Sequence, residues 1–110
     1  MIKIKSVQII KSTNPKKKFS AIFIYDNKGK EAKKTIHFGS AGSKDYTIYY
    51  KDDGKEKANE RKKLYYARHS KENWQIPMSA GTLAKYILWF KPTVEEGIKA
   101  YIKKFKLNLI

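Results

Sequence analysis

The sequence predicts an α+β protein in which the N-terminal half forms an antiparallel sheet and the C-terminal half forms about three helices. In the first half, apolar residues alternate with polar ones, which is the period of a strand. In the second half they recur every three or four positions, as on one face of a helix. Because the strands precede the helices instead of alternating with them, we expect the helices to pack on the sheet within a single domain, residues 1–110.

The first strand is predicted to span residues 2–10. Ile2 and Ile4 alternate with lysines, but the apolar positions change phase before Val7. A change of phase of this kind predicts a β-bulge, which we place near Ser6.

Turn residues separate the other predicted strands. A turn at residues 12–15 precedes a second strand at 19–25, whose faces are both apolar, so we expect a central strand covered on both sides. Residues 26–29 are typical of a hairpin turn, and they lead into a third strand at 34–38. After a loop that contains two glycines, residues 46–50 are rich in side chains that favour strands.

The first predicted helix is highly charged and spans residues 55–69, with Asp52 or Asp53 as its N-cap. Its inner face is predicted to consist of Ala58, Leu64 and Tyr65. A second helix at residues 80–90 has Ser79 as its N-cap and ends before Pro92.

Thr93 and Glu96 form a capping box, which predicts the start of a third helix. Its apolar residues lie at i, i+4, i+7, i+8 and i+11 and are Val94, Ile98, Tyr101, Ile102 and Phe105. That spacing predicts one continuous apolar face. We expect the last two helices to serve as scaffold.

The charge of the chain points to a polyanionic partner. The net charge is +15, because 25 Lys and Arg residues face ten Asp and Glu residues, and the first twenty positions hold no acidic residue. A compact protein with this charge attracts nucleic acids and other acidic surfaces. An A/T-rich coding sequence also favours lysine, so the total alone does not establish the partner. The absence of cysteine excludes disulfides and thiolate metal sites, and no apolar run is long enough for a membrane span.

The candidate nucleic-acid-binding residues are basic side chains that cluster in the sequence. They are Lys16, Lys17, Lys18, Lys33, Lys34, Arg61, Lys62, Lys63, Arg68 and His69. The first three lie in a predicted hairpin loop, where we expect them to be free to reach phosphates. Lysine is a point charge and arginine is scarce here, so we expect contacts to the backbone and no reading of base sequence.

Five residues in and after the charged helix are candidates for stacking or catalysis. Tyr65 and Trp74 are aromatic neighbours of basic residues and could stack on bases, but a position in the core is the favoured interpretation. Arg68, His69 and Glu72 could assemble a nuclease-like site, although a structural hydrogen-bond cluster is favoured.

Asp45, Asp52 and Asp53 could bind a metal, but acidic residues near loops and helix starts usually act as helix caps. Nothing else in the sequence predicts a catalytic, metal or cofactor site. The loop at residues 38–44 carries two glycines, but their spacing and the β-prone segment that follows do not fit a P-loop. His37 lies within a strand pattern, with Ile36 and Phe38 on the opposite face.

Three segments resemble a known family. They are KKTIHFGSAGSKDYT (33–47), LYYARHSKENW (64–74) and PMSAGTLAKYILWFKPT (77–93). They are similar to small basic proteins of uncharacterised function that are encoded by nucleocytoplasmic large DNA viruses of algae and amoebae. The resemblance implies a viral source and a place in or around the virion, and it implies no activity.

We therefore expect a non-enzymatic viral protein that binds nucleic acid, DNA in preference to RNA, in genome packaging or in organisation of the virion core. The alternative is a minor structural protein of the virion. Its basic surface would contact acidic proteins, and some of Tyr86, Trp89 and Phe90 would face a partner chain or a second copy.

Overall fold

A computed structural model describes residues 2–110. Three antiparallel strands form one sheet in the order β1-β2-β3, and helices follow, which confirms the predicted α+β class. The strands are β1 (Ile2–Lys11), β2 (Lys17–Asn27) and β3 (Lys30–Ser40). The helices are α1 (Tyr46–Asp53), α2 (Lys55–Arg68), α3 (Ala80–Leu88) and α4 (Val94–Phe105).

The predicted bulge in β1 is confirmed. The register of β1 against β2 shifts between Ile4 and Ser6, so that Val7 pairs with Phe23. Both side chains are then fully buried on the same face of the sheet. The carbonyl of Lys5 accepts a hydrogen bond from the Asn108 side chain, so the tail after α4 is tied to the bulged strand.

Turns connect the strands at both predicted places, residues 12–16 and residues 28–29. The turn between β2 and β3 consists of Lys28 and Gly29, whose φ angles of 54° and 82° are both positive. Two successive positive φ angles are typical of the type I′ turn, whose twist matches that of the flanking strands.

The central position of β2 is confirmed, but only one of its faces is fully buried. Ala21 and Phe23 are completely covered and belong to the main core. Ile22 and Ile24, on the other face, are half-buried and lie outside that core. The prediction of a strand covered on both sides is therefore wrong for this second face.

The core lies between the sheet and the pair α3 and α4. Leu83 and Ile87 of α3 are fully buried against residues of the sheet. Tyr101 of α4 is also fully buried, and its hydroxyl donates a hydrogen bond of 2.6 Å to the Pro77 carbonyl. Thr93 accepts a hydrogen bond from the Glu96 amide, so the predicted cap of α4 is confirmed.

The segment predicted to favour strands, residues 46–50, is helical, and it gives the fold a fourth helix. Asp45 is the N-cap of α1 and its side chain accepts a hydrogen bond from the Ile48 amide. Tyr46 is buried and donates a hydrogen bond to the Asn59 side chain of α2. Capping and burial thus override the weak strand preference of tyrosine, threonine and isoleucine.

Three details of the helix predictions are wrong. The N-cap of α2 is Gly54, with a φ of 92°, because Asp52 and Asp53 belong to α1. Leu64 is 49% exposed, since only Ala58 and Tyr65 lie on the inner face of α2. The helix α3 ends at Leu88 and not at residue 90, although Ser79 is its N-cap as predicted, without a capping hydrogen bond from its side chain.

Two glycines in helices provide a matched test of the packing between α3 and α4. A Cβ at Gly97 would lie 2.6 Å from the Ile87 carbonyl oxygen and 2.8 Å from the Ile87 Cα, which are backbone atoms. A Cβ at Gly81 would lie 3.0 Å from the flexible Glu72 carboxylate. We expect Gly97→Ala to lower the free energy of unfolding by about 2 kcal/mol, because α4 must move away from α3.

Gly81→Ala is the control, and it should change that free energy by less than about 1 kcal/mol, because alanine favours helix and Glu72 can rotate away. Urea titrations of the two variants measure the difference. Equal effects of the two substitutions would show that the contact at Gly97 is not tightly packed.

Candidate nucleic-acid interface

The basic residues predicted to form the interface are spread over the molecule. Lys16 and Lys17 are exposed at the turn that leads into β2. Lys33 and Lys34 are adjacent in β3 and therefore point to opposite faces of the sheet. Lys63 is exposed on α2. These lysines belong to different surfaces, so the clusters seen in the sequence do not form one cluster in space.

Lys18 is not free to reach a ligand, contrary to the prediction. Its Nζ lies 2.6 Å from Asp45 Oδ2, and the two side chains are 16% and 4% exposed. This ion pair joins the start of β2 to the N-terminus of α1. The charge of Lys18 is therefore neutralised inside the fold.

The pair of Lys18 and Asp45 is open to a direct test. Asp45→Asn keeps an oxygen that can cap α1, but it leaves the largely buried ammonium of Lys18 without its counter-charge. We expect the free energy of unfolding to fall by about 3 kcal/mol. The double variant Lys18→Met with Asp45→Asn should recover part of that decrease, because no unpaired charge remains.

Guanidinium titrations at neutral pH measure both changes. A double variant that is less stable than Asp45→Asn would show that the buried charge is not the cause of the decrease.

Lys62 is half-buried and bound within the fold. Its ammonium donates a hydrogen bond of 2.8 Å to the Phe90 carbonyl, and it lies 4.6 Å from the centre of the Tyr46 ring. Burial lowers the pKa of Lys62, and the positive charges of Lys91 and Lys85 lower it further. Lys62 thus connects α2 to a group of lysines that the sequence clusters did not include.

That group lines a groove between α3 and α4, which we call the lysine groove. Its basic side chains are Lys85, Lys91, Lys99, Lys103 and Lys104. Tyr86, Phe90 and Ala100 supply its apolar surface, and Glu96 is its one acidic residue. The groove has a volume of about 750 Å³.

Like charges repel one another in this groove. Burial lowers the pKa of Lys85, and the positive charge of Lys104 lowers it further. The Lys85 ammonium lies 4.3 Å from the Tyr86 ring centre and 5.1 Å from that of Trp74, so aromatic faces supply part of its surroundings. Among residues 2–110, none of the five groove lysines forms an ion pair with a carboxylate.

The lysine groove was not predicted from the sequence, because the last two helices were expected to be scaffold. A signal was present beside the apolar face of α4. Residues of the groove recur there at i, i+3, i+4, i+7 and i+8, and they are Glu96, Lys99, Ala100, Lys103 and Lys104. Lys85 and Lys91 come from α3 and from the connection after it, so only the packing of the two helices could bring them to the same groove.

A second concave surface, which we call the arginine cleft, lies between the loop after β3 and the helices α2 and α3. It has a volume of about 680 Å³ and includes three of the predicted residues, Arg61, Arg68 and His69. His69 Nδ1 lies 2.8 Å from Glu72 Oε2, as expected of a structural hydrogen-bond cluster. Arg68 lines the same cleft, so the structure brings together the three residues that were candidates for a nuclease-like site.

Aromatic rings form one wall of the arginine cleft. The Tyr65 ring stacks on Trp89 with a centroid distance of 4.2 Å and an angle of 6°, and His69 lies 4.3 Å away. Burial raises the pKa of Tyr65 to about 12, so its hydroxyl is neutral at physiological pH. Tyr65 is a core residue as predicted, whereas Trp74 is only half-buried.

The loop at residues 38–44, which contains Gly39 and Gly42, is followed by the helix α1 and not by the strand expected from the sequence. This order alone would suit a phosphate-binding loop. The N-terminus of α1, however, already holds the Asp45 carboxylate, which occupies the place of an anion. Gly39 has a φ of 80°, which favours glycine, and a Cβ there would also lie 2.7 Å from the Leu88 side-chain atom Cδ1.

His37 lies on the face of the sheet opposite the core. Its Nδ1 lies 2.6 Å from Ser20 Oγ and 3.0 Å from Ser12 Oγ. Within residues 2–110, no group of three or more histidine, aspartate or glutamate side chains is placed to hold a metal ion. In the same range, no helix has the length and apolar character needed to cross a membrane.

The aromatic residues of α3 and of the turn after it are engaged within the fold. Tyr86 is buried in the core, and Trp89 is stacked on Tyr65. Phe90 packs edge-on against Tyr86 at 5.7 Å. Trp89 and Phe90 are nevertheless only half-buried, so contact of this segment with a partner chain stays a prediction.

Part of the chain matches a known protein family. Residues 7–69 match a family of unknown function, DUF5754. No curated protein and no solved structure matches the chain. The matched range covers more than half of the chain and contains both arginines, whereas the five lysines of the lysine groove follow it. The chain therefore belongs to the DUF5754 family.

Proposed function

We propose that this member of the DUF5754 family is a non-enzymatic protein that binds nucleic acid by contacts to phosphates, with the lysine groove as its main contact surface. The convergence of five lysines on one groove, with a single carboxylate among them, carries the proposal. Burial is the larger cause of the lowered pKa of Lys85, and the positive charge of Lys104 lowers that pKa further, which is repulsion between like charges in the groove. A bound polyanion would relieve that repulsion.

The basic residues of the groove are all lysines, which supports contacts to the phosphate backbone of a nucleic acid. An ammonium group is a point charge that attracts any phosphate, whereas bidentate recognition of a base edge needs arginine, asparagine or glutamine. The groove contains none of these three. We therefore propose binding without sequence preference, in which affinity falls steeply as salt rises.

Exposed lysines outside the groove would add weaker contacts. Lys16 and Lys17 at the first turn, and Lys63 on α2, are accessible for this purpose. Lys18 and Lys62 are not part of the proposed contact set, because each is already bound within the fold.

The setting of the proposed function follows from the resemblance to proteins of large DNA viruses. In that setting the partner is DNA in preference to RNA, the location is the virion or the viral factory, and the role is genome packaging or organisation of the virion core. The charge and the groove support only the contact with nucleic acid.

Filter binding of duplex DNA over a series of salt concentrations tests the proposal. The wild-type protein should retain DNA at low salt, with a linear fall of log affinity against log salt. The groove variant, which combines Lys99→Gln, Lys103→Gln and Lys104→Gln, should bind more weakly. Its slope should be smaller by roughly 0.9 for each phosphate that the variant no longer neutralises.

The variant that combines Lys16→Gln, Lys17→Gln and Lys63→Gln is the matched control, since it also removes three exposed charges but leaves the groove intact. It should change the slope less than the groove variant does. A larger effect of the control, or no retention of DNA by the wild-type protein at low salt, would refute the proposed role of the groove.

A further inference from the structure

The arginine cleft differs from the lysine groove in the kind of cation that it holds. The chain has 25 basic residues, of which two are arginines, Arg61 and Arg68, and both line this one cleft. They are seven residues apart on α2, which places them on the same face of the helix, roughly 10 Å apart along its axis. Arginine presents a planar fork of donors that matches two oxygens of a phosphate, which lysine does not.

The guanidinium groups of Arg61 and Arg68 are the basic groups of the cleft that have no carboxylate partner within residues 2–110. Every other basic group that lines it faces a carboxylate. These pairs are Lys18 with Asp45, Lys44 with Asp53 and Asp52, and His69 with Glu72. Within residues 2–110, neither arginine forms an ion pair with a carboxylate.

Arg61 carries a buried donor with no acceptor. Its Nε is shielded from solvent and has no hydrogen-bond partner among residues 2–110, while the centre of its guanidinium lies 5.5 Å from the Tyr49 ring centre. A buried donor of this kind is costly unless an acceptor is supplied. An anion bound in the cleft would accept hydrogen bonds from the guanidinium group of Arg61.

The remaining walls suit a small aromatic ligand attached to the anion. One wall of the cleft consists of the rings of Tyr65, Trp89 and His69. Another wall contains the hydroxyl groups of Ser40 and Ser43, in the segment where β3 ends. A volume of about 680 Å³ is within the usual range for sites that hold one small molecule. The cleft thus has room for one phosphate group and its attached nucleoside.

We propose that the arginine cleft binds a phosphomonoester, either the phosphorylated end of a nucleic-acid strand or a free nucleotide. The two positive charges of Arg61 and Arg68 match the double negative charge of a phosphomonoester, which a phosphodiester inside a strand does not carry. This site is separate from the lysine groove and does not require that the groove binds nucleic acid.

Isothermal titration calorimetry with four probes tests the site. The probes are inorganic phosphate, a nucleoside monophosphate, and one short oligonucleotide with either a 5′-phosphate or a 5′-hydroxyl group. We expect the phosphorylated oligonucleotide to bind more tightly than its hydroxyl counterpart. Binding of the nucleoside monophosphate would identify a free nucleotide as a second source of the same group.

Arg68→Lys is the decisive variant, because it keeps the charge and changes an exposed side chain. We expect it to weaken binding of the phosphomonoester roughly tenfold, since lysine cannot donate two parallel hydrogen bonds to the phosphate. Arg61→Lys should have a similar effect, with a thermal melt to show that the variant is folded. The groove variant is the control and should leave the difference between the two oligonucleotides unchanged.

Three results would overturn the proposal. They are equal affinity for the two oligonucleotides together with no binding of phosphate or nucleotide, an unchanged affinity in Arg68→Lys, and disappearance of the difference in the groove variant. Failure of the groove variant to weaken duplex binding would count only against the proposed function, so the two proposals fail separately.

Discussion

The close contact between α4 and α3 at Gly97 is the constraint on which the helical half of the molecule depends. Only a residue without a side chain allows the α4 backbone to approach the Ile87 carbonyl this closely. One turn later, Tyr101 is buried and bonded to the Pro77 carbonyl, which holds α4 in place. The basic side of α4 then lies beside Lys85 and Lys91. The lysine groove is therefore a product of core packing, because its own charged residues repel one another.

Core packing is strong enough to hold these charges together. Each large apolar side chain that is fully buried contributes about 1.5–3 kcal/mol, whereas two lysines in water repel by about 1 kcal/mol at contact distance. Elsewhere the fold neutralises positive charge, as in the pair of Lys18 and Asp45. The basic residues behind the net charge of +15 thus fall into three groups. Some are bound within the fold, some are scattered over the surface, and the rest line two concave surfaces. One is a groove of lysines and the other is a cleft with both arginines.

The periodicity of the sequence was sufficient to predict the fold class, the bulge in β1 and the apolar face of α4, and turn residues predicted the hairpin at Gly29. The strand preference of residues 46–50 gave a wrong prediction, because the cap at Asp45 and the burial of Tyr46 stabilise a helix there. Sequence clusters failed to predict the main basic surface for a different reason. Adjacent lysines in a strand point to opposite faces, whereas the groove lysines come from two helices and meet only when α3 and α4 pack. The pairing of Lys18 with Asp45, 27 residues away, had no signal in the pattern of either segment.

In the proposed function, the lysines of the groove repel one another until a phosphate backbone binds. The most direct test is the pKa of the Lys85 ammonium, measured by NMR in the free protein and with saturating duplex DNA. The free protein should show a value below the usual 10.5, because of burial and of the charge on Lys104. Bound DNA should raise that pKa, since a nearby phosphate stabilises the charged form. An unchanged pKa of Lys85 in the DNA-saturated protein would contradict the proposed role of the lysine groove.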